Sequence, residues 1–253
     1  MGAASRSTSC IRSDEVLPVV MRELSKIGDS VDHSLVVETL ASRSFFPYPP
    51  CPRQLLEQVD FYLVACDTSA TARLSDLSSL PSAHSSGSEV VDYGVSMVGA
   101  IGVVWVPLSP GPFVEGYVQV VLVQPEFRRR RIARRMLERL MHRKNGGADN
   151  TKPIVRWRLH TMLLTAATKI YIRSFVFNEQ PNPTGVVHTS FAKSDGVSGT
   201  QLSLEETEQL VAAVPRMYEE LGFTTRRYVY AYYAGKADAV EMVYLVSGSQ
   251  KGH

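Results

Sequence analysis

The chain of 253 residues is 44 % hydrophobic, enough for one core with extensions, and no apolar run approaches the roughly 20 residues that span a bilayer. The formal net charge of +2 argues against a globally basic nucleic-acid-binding protein. The three cysteines, Cys10, Cys51 and Cys66, show neither paired nor metal-ligand spacing, so we expect a cytoplasmic protein with no metal site and no membrane partner.

The N-terminal half predicts two helices and three strands. Residues 14–27 have the apolar spacing of a first helix, and residues 53–58 that of a short second one. Between them, residues 45–52 are rich in proline, which removes backbone donors and fixes φ, so they form a rigid aromatic loop. The strands are predicted at 61–66, at 95–106 with a kink at Gly99 or Gly102, and at 116–123.

A cluster of arginines follows the third strand. Residues 128–131 are all arginine, and they precede a helix whose apolar stripe comprises Ile132, Ala133, Met136, Leu137, Leu140 and Met141. The start of a helix presents unpaired N–H groups and the positive end of its dipole, so we expect a pyrophosphate group to bind there. A solvated helix face and a nucleic-acid patch are the alternatives, and the near-zero net charge disfavours specific nucleic-acid binding.

The C-terminal half predicts a further strand and a hairpin, with one ambiguous segment. Residues 152–168 fit either a strand around 155–159 or a second helix. Residues 170–178 predict a strand, and residues 225–233 and 237–246 predict a closing hairpin.

A helix is also predicted over residues 203–221. Ser203 and Glu206 have the spacing of a capping box at its start, and Gly222 marks its end. Pro215 predicts a kink or a break just before it.

These elements predict an α/β protein with a mixed, twisted central sheet flanked by helices. We expect residues 1–253 to form one domain with a flexible N-terminus over 1–13. Two insertions, at 67–93 and 179–202, are rich in small and polar residues without periodicity. We interpret the insertions as disordered loops, and the alternative is that they bind partner subunits.

Several segments together resemble the N-terminal protein acetyltransferases of the GNAT superfamily, most closely the catalytic subunits of NatC and NatE type. Residues 128–133 are similar to the acetyl-CoA motif Q/R-x-x-G-x-G/A, with Arg131 in place of the central glycine. The other matching segments, in family order, are 46–48, 115–123, 170–178, 217–223 and 228–242. The resemblance implies a GNAT fold and covers most of residues 14–246 outside the insertions.

The resemblance also implies a reaction, in which an acetyl group passes from acetyl-CoA to the α-amine of protein N-termini that begin with Met and a large apolar residue. Tyr117 would hold the water that deprotonates the amine, and Tyr218 would protonate the leaving thiolate. Residues implied at acetyl-CoA are Val121, Leu122, Val123, Arg128, Arg129, Arg130, Arg131, Ile132, Ala133 and Asn178, together with Tyr218. Those implied at the peptide are Phe46, Pro47, Tyr48, Tyr117, Tyr232 and Tyr233.

The basic partner of Tyr117 has two candidate positions. The family has a histidine or a glutamate where one alignment of the strands puts Arg173, and a guanidinium cannot accept a proton at neutral pH. If residues 155–161 form that strand instead, His160 falls near the position.

Two other functions remain as alternatives. One is a GNAT enzyme that acetylates a small amine or a lysine side chain. The other is a non-catalytic GNAT-fold subunit, which Arg131 and Arg173 suggest. The resemblance further implies auxiliary Nat subunits and the ribosome as partners.

Overall fold

The computed structural model describes residues 19–42, 53–68, 97–147, 151–176 and 203–246. An eight-stranded, mostly antiparallel sheet flanked by helices forms its centre, so the predicted mixed α/β class is confirmed. Residues 1–13 and, apart from Asp67 and Thr68, both predicted insertions lie outside the described residues. Within the described ranges, no helix combines the length and apolar character that crossing a bilayer requires.

The sheet contains one parallel pair of strands. The strands are β1 (Val19–Ser25), β2 (Phe61–Asp67), β3 (Met97–Pro107), β4 (Val114–Val123), β5 (Asn145–Gly146), β6 (Lys152–Met162), β7 (Thr224–Tyr233) and β8 (Ala237–Leu245). They are ordered β1-β2-β3-β4-β6-β8-β7, with β5 paired to β6 off this path. All of these pairs are antiparallel except β4 and β6, which are parallel neighbours.

Five helices of the described residues flank the sheet: α1 (Ser30–Ser42), α2 (Arg53–Glu57), α3 (Ile132–Met141), α4 (Ala166–Val176) and α5 (Leu204–Glu220). Helix α3 connects the parallel strands β4 and β6, which is the connection that a parallel pair requires. The predicted short helix, arginine-led helix and closing hairpin are therefore confirmed.

The predicted helix over residues 14–27 is wrong where the structure describes it. Val19–Ser25 is the edge strand β1, paired with β2 along its whole length. The first helix of the described residues is α1 instead, which the sequence pattern did not indicate. Its apolar residues lie on both faces, because Val36 and Val37 are buried whereas Val31 and Leu35 are exposed, so no amphipathic period is visible.

The predicted strand over residues 170–178 is also wrong where the structure describes it, because residues 166–176 form α4. The hydroxyl of Thr165 accepts a hydrogen bond from the Thr168 N–H at 3.2 Å, as a helix-capping residue does. Tyr171 and Ile172 are buried whereas Ile170 is exposed. Local capping and helical burial thus override the β propensity of this segment. Of the ambiguous segment 152–168, residues 152–162 form strand β6 and residues 166–168 already belong to α4.

Helix α5 begins and ends as predicted. Glu206 N–H donates to the Ser203 hydroxyl at 3.2 Å, and Ser203 N–H donates to the Glu206 carboxylate at 2.8 Å. Gly222 follows the helix with a φ of +91°, a conformation that glycine adopts without steric cost. The helix is continuous through Pro215, so the predicted break does not occur.

The two faces of the sheet are covered unequally. Helices α3 and α5 pack on one face in a core that includes Met136, Trp157 and Met242. On the other face, α1 and α2 cover residues of β2, β3 and β4, including Tyr62 and Val120. Among the described residues, no helix belongs to that second core beyond β4, and there the sheet presents polar side chains of β6, β8 and β7.

Candidate active site

The parallel strands β4 and β6 separate before they end. Their pairing stops at Val118 and Leu159, although β4 continues to Val123 and β6 to Met162. At the same level, the pairing of β3 with β4 shifts register at Gly102, so Gln119 is paired with no residue of β3. Gly102 is one of the two glycines where a kink was predicted. The two strands therefore leave a gap in the sheet beyond Val118, which is called the strand gap below.

Backbone groups of β4 are directed into the strand gap. Gln124 N–H donates to the carbonyl of Val98 in β3 at 2.9 Å, and successive residues of a strand direct their backbone groups to opposite sides. The backbone groups of Val121 and Val123 therefore point away from β3. In agreement, the Val123 carbonyl accepts a hydrogen bond from Arg128 Nε at 3.2 Å. Amide N–H groups in this position can stabilise negative charge that develops on a carbonyl oxygen.

Tyr117 and His160 meet at the gap, on the face of the sheet that α1 and α2 partly cover. The Tyr117 hydroxyl lies 3.1 Å from His160 Nδ1 and 2.9 Å from the hydroxyl of Tyr232. The Tyr232 ring stacks on the imidazole with centroids 4.4 Å apart. The opposite ring nitrogen, His160 Nε2, lies 3.3 Å from the carboxylate of Glu241.

The Glu241 carboxylate sets the tautomer of His160. Glu241 is fully buried; burial alone would raise the pKa of its carboxyl, but the hydrogen bond and charge of Arg227 outweigh burial and lower it. An ionised carboxylate only accepts hydrogen bonds, so His160 Nε2 carries the proton that faces it. Nδ1 is then the acceptor for the Tyr117 hydroxyl.

The surroundings also favour a neutral imidazole. Burial lowers the pKa of His160; the Glu241 charge opposes this, and the charges of Arg158 and Arg227 reinforce it. The pKa of Tyr117 is raised, chiefly by burial. At neutral pH the pair is a neutral phenol beside a neutral imidazole, which can accept a proton.

The tyrosines of the β7–β8 hairpin divide between the two sides of the sheet. Tyr232 contacts His160 as described, and the Tyr233 hydroxyl donates to the backbone carbonyl of His160 at 3.2 Å. Tyr228 and Tyr230 are exposed and line a shallow pocket of about 260 Å³ with Leu163. The pairing of β7 with β8 shifts register between Val229 and Tyr233, and Ala231 has a φ of +52°, so regular alternation is broken and Tyr232 is separated from Tyr228 and Tyr230.

The opposite face of the gap is formed by the α3–α5 core. Tyr218 is buried there, and its ring meets that of Phe223 edge-on with centroids 5.7 Å apart. Val121 and Val123 pack against the same core, to which Ile132 also belongs. Tyr218 and Tyr117 therefore lie on opposite faces of the sheet, and the strand gap is the opening between them.

The arginine cluster precedes α3 rather than forming its first turn. The helix begins at Ile132, and Arg131 is its N-cap residue, without a side-chain capping hydrogen bond. Arg131 adopts a left-handed conformation, with φ 58°, as does Arg129, with φ 62°. Arg131 thus occupies the backbone conformation that a glycine would adopt most easily. Its side chain is exposed.

The predicted site residues fall into three groups. Tyr117, Tyr232 and Tyr233 converge on His160. The other predicted residues that the structure describes line the opposite face of the gap or the start of α3. Leu122 is the exception, since it packs against the α1–α2 core. Phe46, Pro47, Tyr48 and Asn178 lie outside the described residues. The alignment that paired Arg173 with Tyr117 is wrong, because Arg173 is exposed on helix α4.

The sequence pattern did not single out Glu241 or the arginines around it. One signal was available: Glu241 lies between Val240 and Met242 in an apolar strand, and a charge buried in this way needs partners. A second was the alternation of Arg156, Arg158 and His160 with apolar residues, which places all three on one face of a strand.

Comparisons with known proteins give structural similarity only. No protein-family profile and no curated protein sequence matches the chain. Arabidopsis thaliana NAA60 in complex with acetyl-CoA matches over 91 % of this chain and 99 % of its own, with 11 % identity and a TM-score of 0.47. The Escherichia coli ribosomal-protein-S18-alanine N-acetyltransferase matches over 93 % and 98 %, with 13 % identity and a TM-score of 0.46.

A structure of the NatC complex bound to Gag peptide and CoA matches over 90 % of this chain and 99 % of the matched chain, with 14 % identity and a TM-score of 0.46. These identities and scores are low.

Proposed function

We propose that the protein is a GNAT-type N-acetyltransferase that moves the acetyl group of acetyl-CoA to the α-amine of protein N-termini. The observation that carries this proposal is the hydrogen-bonded series Tyr117, His160 and Glu241 at the strand gap. It supplies a proton acceptor in a neutral state, next to backbone N–H groups that can stabilise an oxyanion.

The donor side of the site is the face with Tyr218 and α3. The start of α3 has no side-chain cap, and exposed arginines precede it, so a pyrophosphate would meet unpaired N–H groups and positive charge. From there the strand gap leads past Val121 and Val123 toward Tyr117. The residues present thus fit a long donor with a charged end and a reactive thioester.

The acceptor side removes a proton from the attacking amine. As the amine nitrogen bonds to the thioester carbonyl carbon, its proton passes to the Tyr117 oxygen, directly or through water, while the Tyr117 proton passes to His160 Nδ1. Glu241 stabilises the imidazolium that forms. The carbon–sulfur bond then breaks, and the Tyr218 hydroxyl provides the proton that the thiolate needs.

The hairpin tyrosines favour a peptide as the acceptor. Tyr232 and Tyr233 border the site, and aromatic rings with hydroxyl tips suit both packing and hydrogen bonding to a peptide backbone. We propose that accepted N-termini begin with Met and a large apolar residue, which the resemblance at residues 46–48 supports. Auxiliary Nat subunits and a cytoplasmic setting belong to the same proposal.

Acetyl transfer to defined acceptors tests this function. The protein is incubated with acetyl-CoA and peptides that begin Met-Leu, Met-Lys or Ser, and with a polyamine, and the products are identified by mass spectrometry. We expect one acetyl group on the α-amine of the Met-Leu peptide. Acetylation of the polyamine alone would favour a small-amine enzyme. No product, with no thermal stabilisation by acetyl-CoA, would favour a non-catalytic subunit.

A further inference from the structure

Four arginines lie on the same face of the sheet as Tyr117 and His160. Arg156 and Arg158 come from β6, and Arg226 and Arg227 from β7; they are called the arginine floor below. Two buried glutamates bind them from within the sheet, Glu115 with 1 % and Glu241 with 0 % of the side chain exposed.

The ion pairs of the arginine floor connect β4, β6, β8 and β7. Glu115 binds Arg156 and, at 2.5 Å, Arg158. Glu241 binds Arg226 at 3.2 Å and Arg227 at 3.0 Å, and lies 3.6 Å from Arg158. Among the ion pairs of the described residues, four guanidinium groups therefore face two carboxylates, and two positive charges are left uncompensated.

The uncompensated charge faces solvent. The side chains of Arg226 and Arg227 are 55 % and 64 % exposed, whereas their carboxylate partner is buried beneath them. Arg226 contacts Glu241 through Nη1, and a guanidinium has five N–H donors in all, so donors remain for a second acceptor. The floor can therefore bind a further carboxylate without losing its own pairs.

A β-bulge gives the floor its two most exposed members. The pairing of β7 with β8 shifts register between Thr225 and Arg227, so Arg226 is not paired with a residue of β8 in the strand ladder. In a regular strand two successive side chains point to opposite faces, but here both arginines contact Glu241. Bulges redirect side chains in this way, commonly beside active sites.

The arginine floor lies close to the reacting amine. The Tyr117 hydroxyl lies 3.1 Å from His160 Nδ1, His160 Nε2 lies 3.3 Å from the Glu241 carboxylate, and that carboxylate lies 3.0 Å from Arg227. Only one imidazole ring and one carboxylate thus separate the hydroxyl from Arg227. An extended peptide rises about 3.3 Å per residue, so a chain with its amine at Tyr117 reaches Arg227 within roughly three residues.

We infer that the enzyme selects N-termini with acidic side chains at about the third and fourth residues, where the arginine floor binds their carboxylates. The inference rests on the proposed function for the position of the amine. It adds a charge requirement to the apolar first two residues, and the order of preference is acidic, then neutral, then basic.

The test compares peptides that begin Met-Leu-Glu-Glu, Met-Leu-Gln-Gln and Met-Leu-Lys-Lys. We expect kcat/KM to be about tenfold higher for the acidic than for the basic peptide at low salt, and the difference to shrink at high salt. The double variant Arg226→Gln/Arg227→Gln should lose this ratio, whatever its absolute rate. Arg139→Gln is the matched control, since Arg139 is an equally exposed arginine on α3, across the sheet, and should keep the ratio.

Equal kcat/KM for the three peptides in the unaltered enzyme would overturn the inference while leaving the acetyltransferase function intact. Binding of fluorescent peptides that are already N-acetylated provides a readout independent of turnover. Tighter binding of the acidic peptide without any turnover would support the binding of acidic residues by the arginine floor and would contradict the proposed acetyltransferase function. Loss of the ratio in Arg139→Gln as well would show a general charge effect and also overturn the inference.

Discussion

The hydroxyl of Tyr117 lies 3.1 Å from Nδ1 of His160, although 43 residues separate the two in the chain. The parallel register of β4 and β6 brings them together, because Tyr117 is opposite Arg158 and His160 is the next residue on the same face. A shift of one residue would turn His160 to the α3–α5 core. The register of β4 with β6 therefore determines whether His160 can accept a proton from Tyr117.

Removing the Tyr117 hydroxyl should impair proton transfer and leave donor binding intact. We expect Tyr117→Phe to lower kcat about 10²-fold, because general-base assistance is worth at least that much, with KM for acetyl-CoA unchanged. Tyr228→Phe, which removes an exposed hydroxyl from the same hairpin that carries Tyr232, is the control and should have no effect. Equal rates for both variants would exclude Tyr117 from the chemistry.

The pKa of His160 should lie below its ordinary value of about 6.5, because burial disfavours the imidazolium. Replacing Glu241 by Gln removes the charge that raises this pKa, so Glu241→Gln should lower it further. The measurement is a histidine NMR titration, with the His160 signal assigned from its loss in His160→Gln. A higher pKa in Glu241→Gln would contradict the assigned role of Glu241.

The same depression of the His160 pKa sets a pH dependence of stability. Between the folded pKa and about 6.5 the unfolded chain binds the proton more readily, so folding is disfavoured as pH falls through this window. The free energy of unfolding, measured by urea denaturation, should therefore decrease from pH 7 to pH 5. His160→Gln should remove this part of the decrease. If the variant lost as much stability between pH 7 and pH 5 as the unaltered protein does, that result would argue against a neutral, buried imidazole.

Tyr218 should act on the leaving group. Tyr218→Phe retains the ring that packs against Phe223, so we expect a small change in stability and a fall in kcat of about 10²-fold. A donor thioester with a more acidic thiol should restore much of the rate, because its thiolate needs less protonation. If the loss were the same for both donors, Tyr218 would have a packing role only.

The left-handed backbone conformation of Arg131 should lower the free energy of unfolding of the protein. An L-residue in the left-handed region is disfavoured by roughly 1–2 kcal/mol, and glycine avoids most of this penalty. Arg131→Gly and Arg131→Ala both remove the guanidinium, so their difference isolates the backbone. We expect the glycine variant to be more stable by about 1 kcal/mol in urea unfolding. Equal stabilities would show that the loop relaxes around residue 131.

Where local signals and tertiary context agreed, the sequence was sufficient to predict the structure. The capping box at Ser203, the apolar stripe of α3 and the closing hairpin are all confirmed. The edge strand β1 and helix α4 were missed, because pairing with β2 in one case and capping by Thr165 in the other outweighed residue propensities.

The site was only half predictable for a related reason. Tyr117 and the hairpin tyrosines were identified, but the choice between Arg173 and His160 depended on which segment forms β6, and a short apolar run does not decide this. Glu241 and the arginine floor are recognisable only once β6, β7 and β8 are adjacent, since their significance lies in contacts between strands.

The most direct test of the account is a single-turnover measurement of acetyl transfer from saturating acetyl-CoA to the α-amine of a Met-Leu peptide. The unaltered protein should complete one transfer per site, and Tyr117→Phe/His160→Gln should transfer at least about 10²-fold more slowly while still being stabilised by acetyl-CoA. Transfer by the double variant at the unaltered rate would contradict the proposal that these two residues accept the proton.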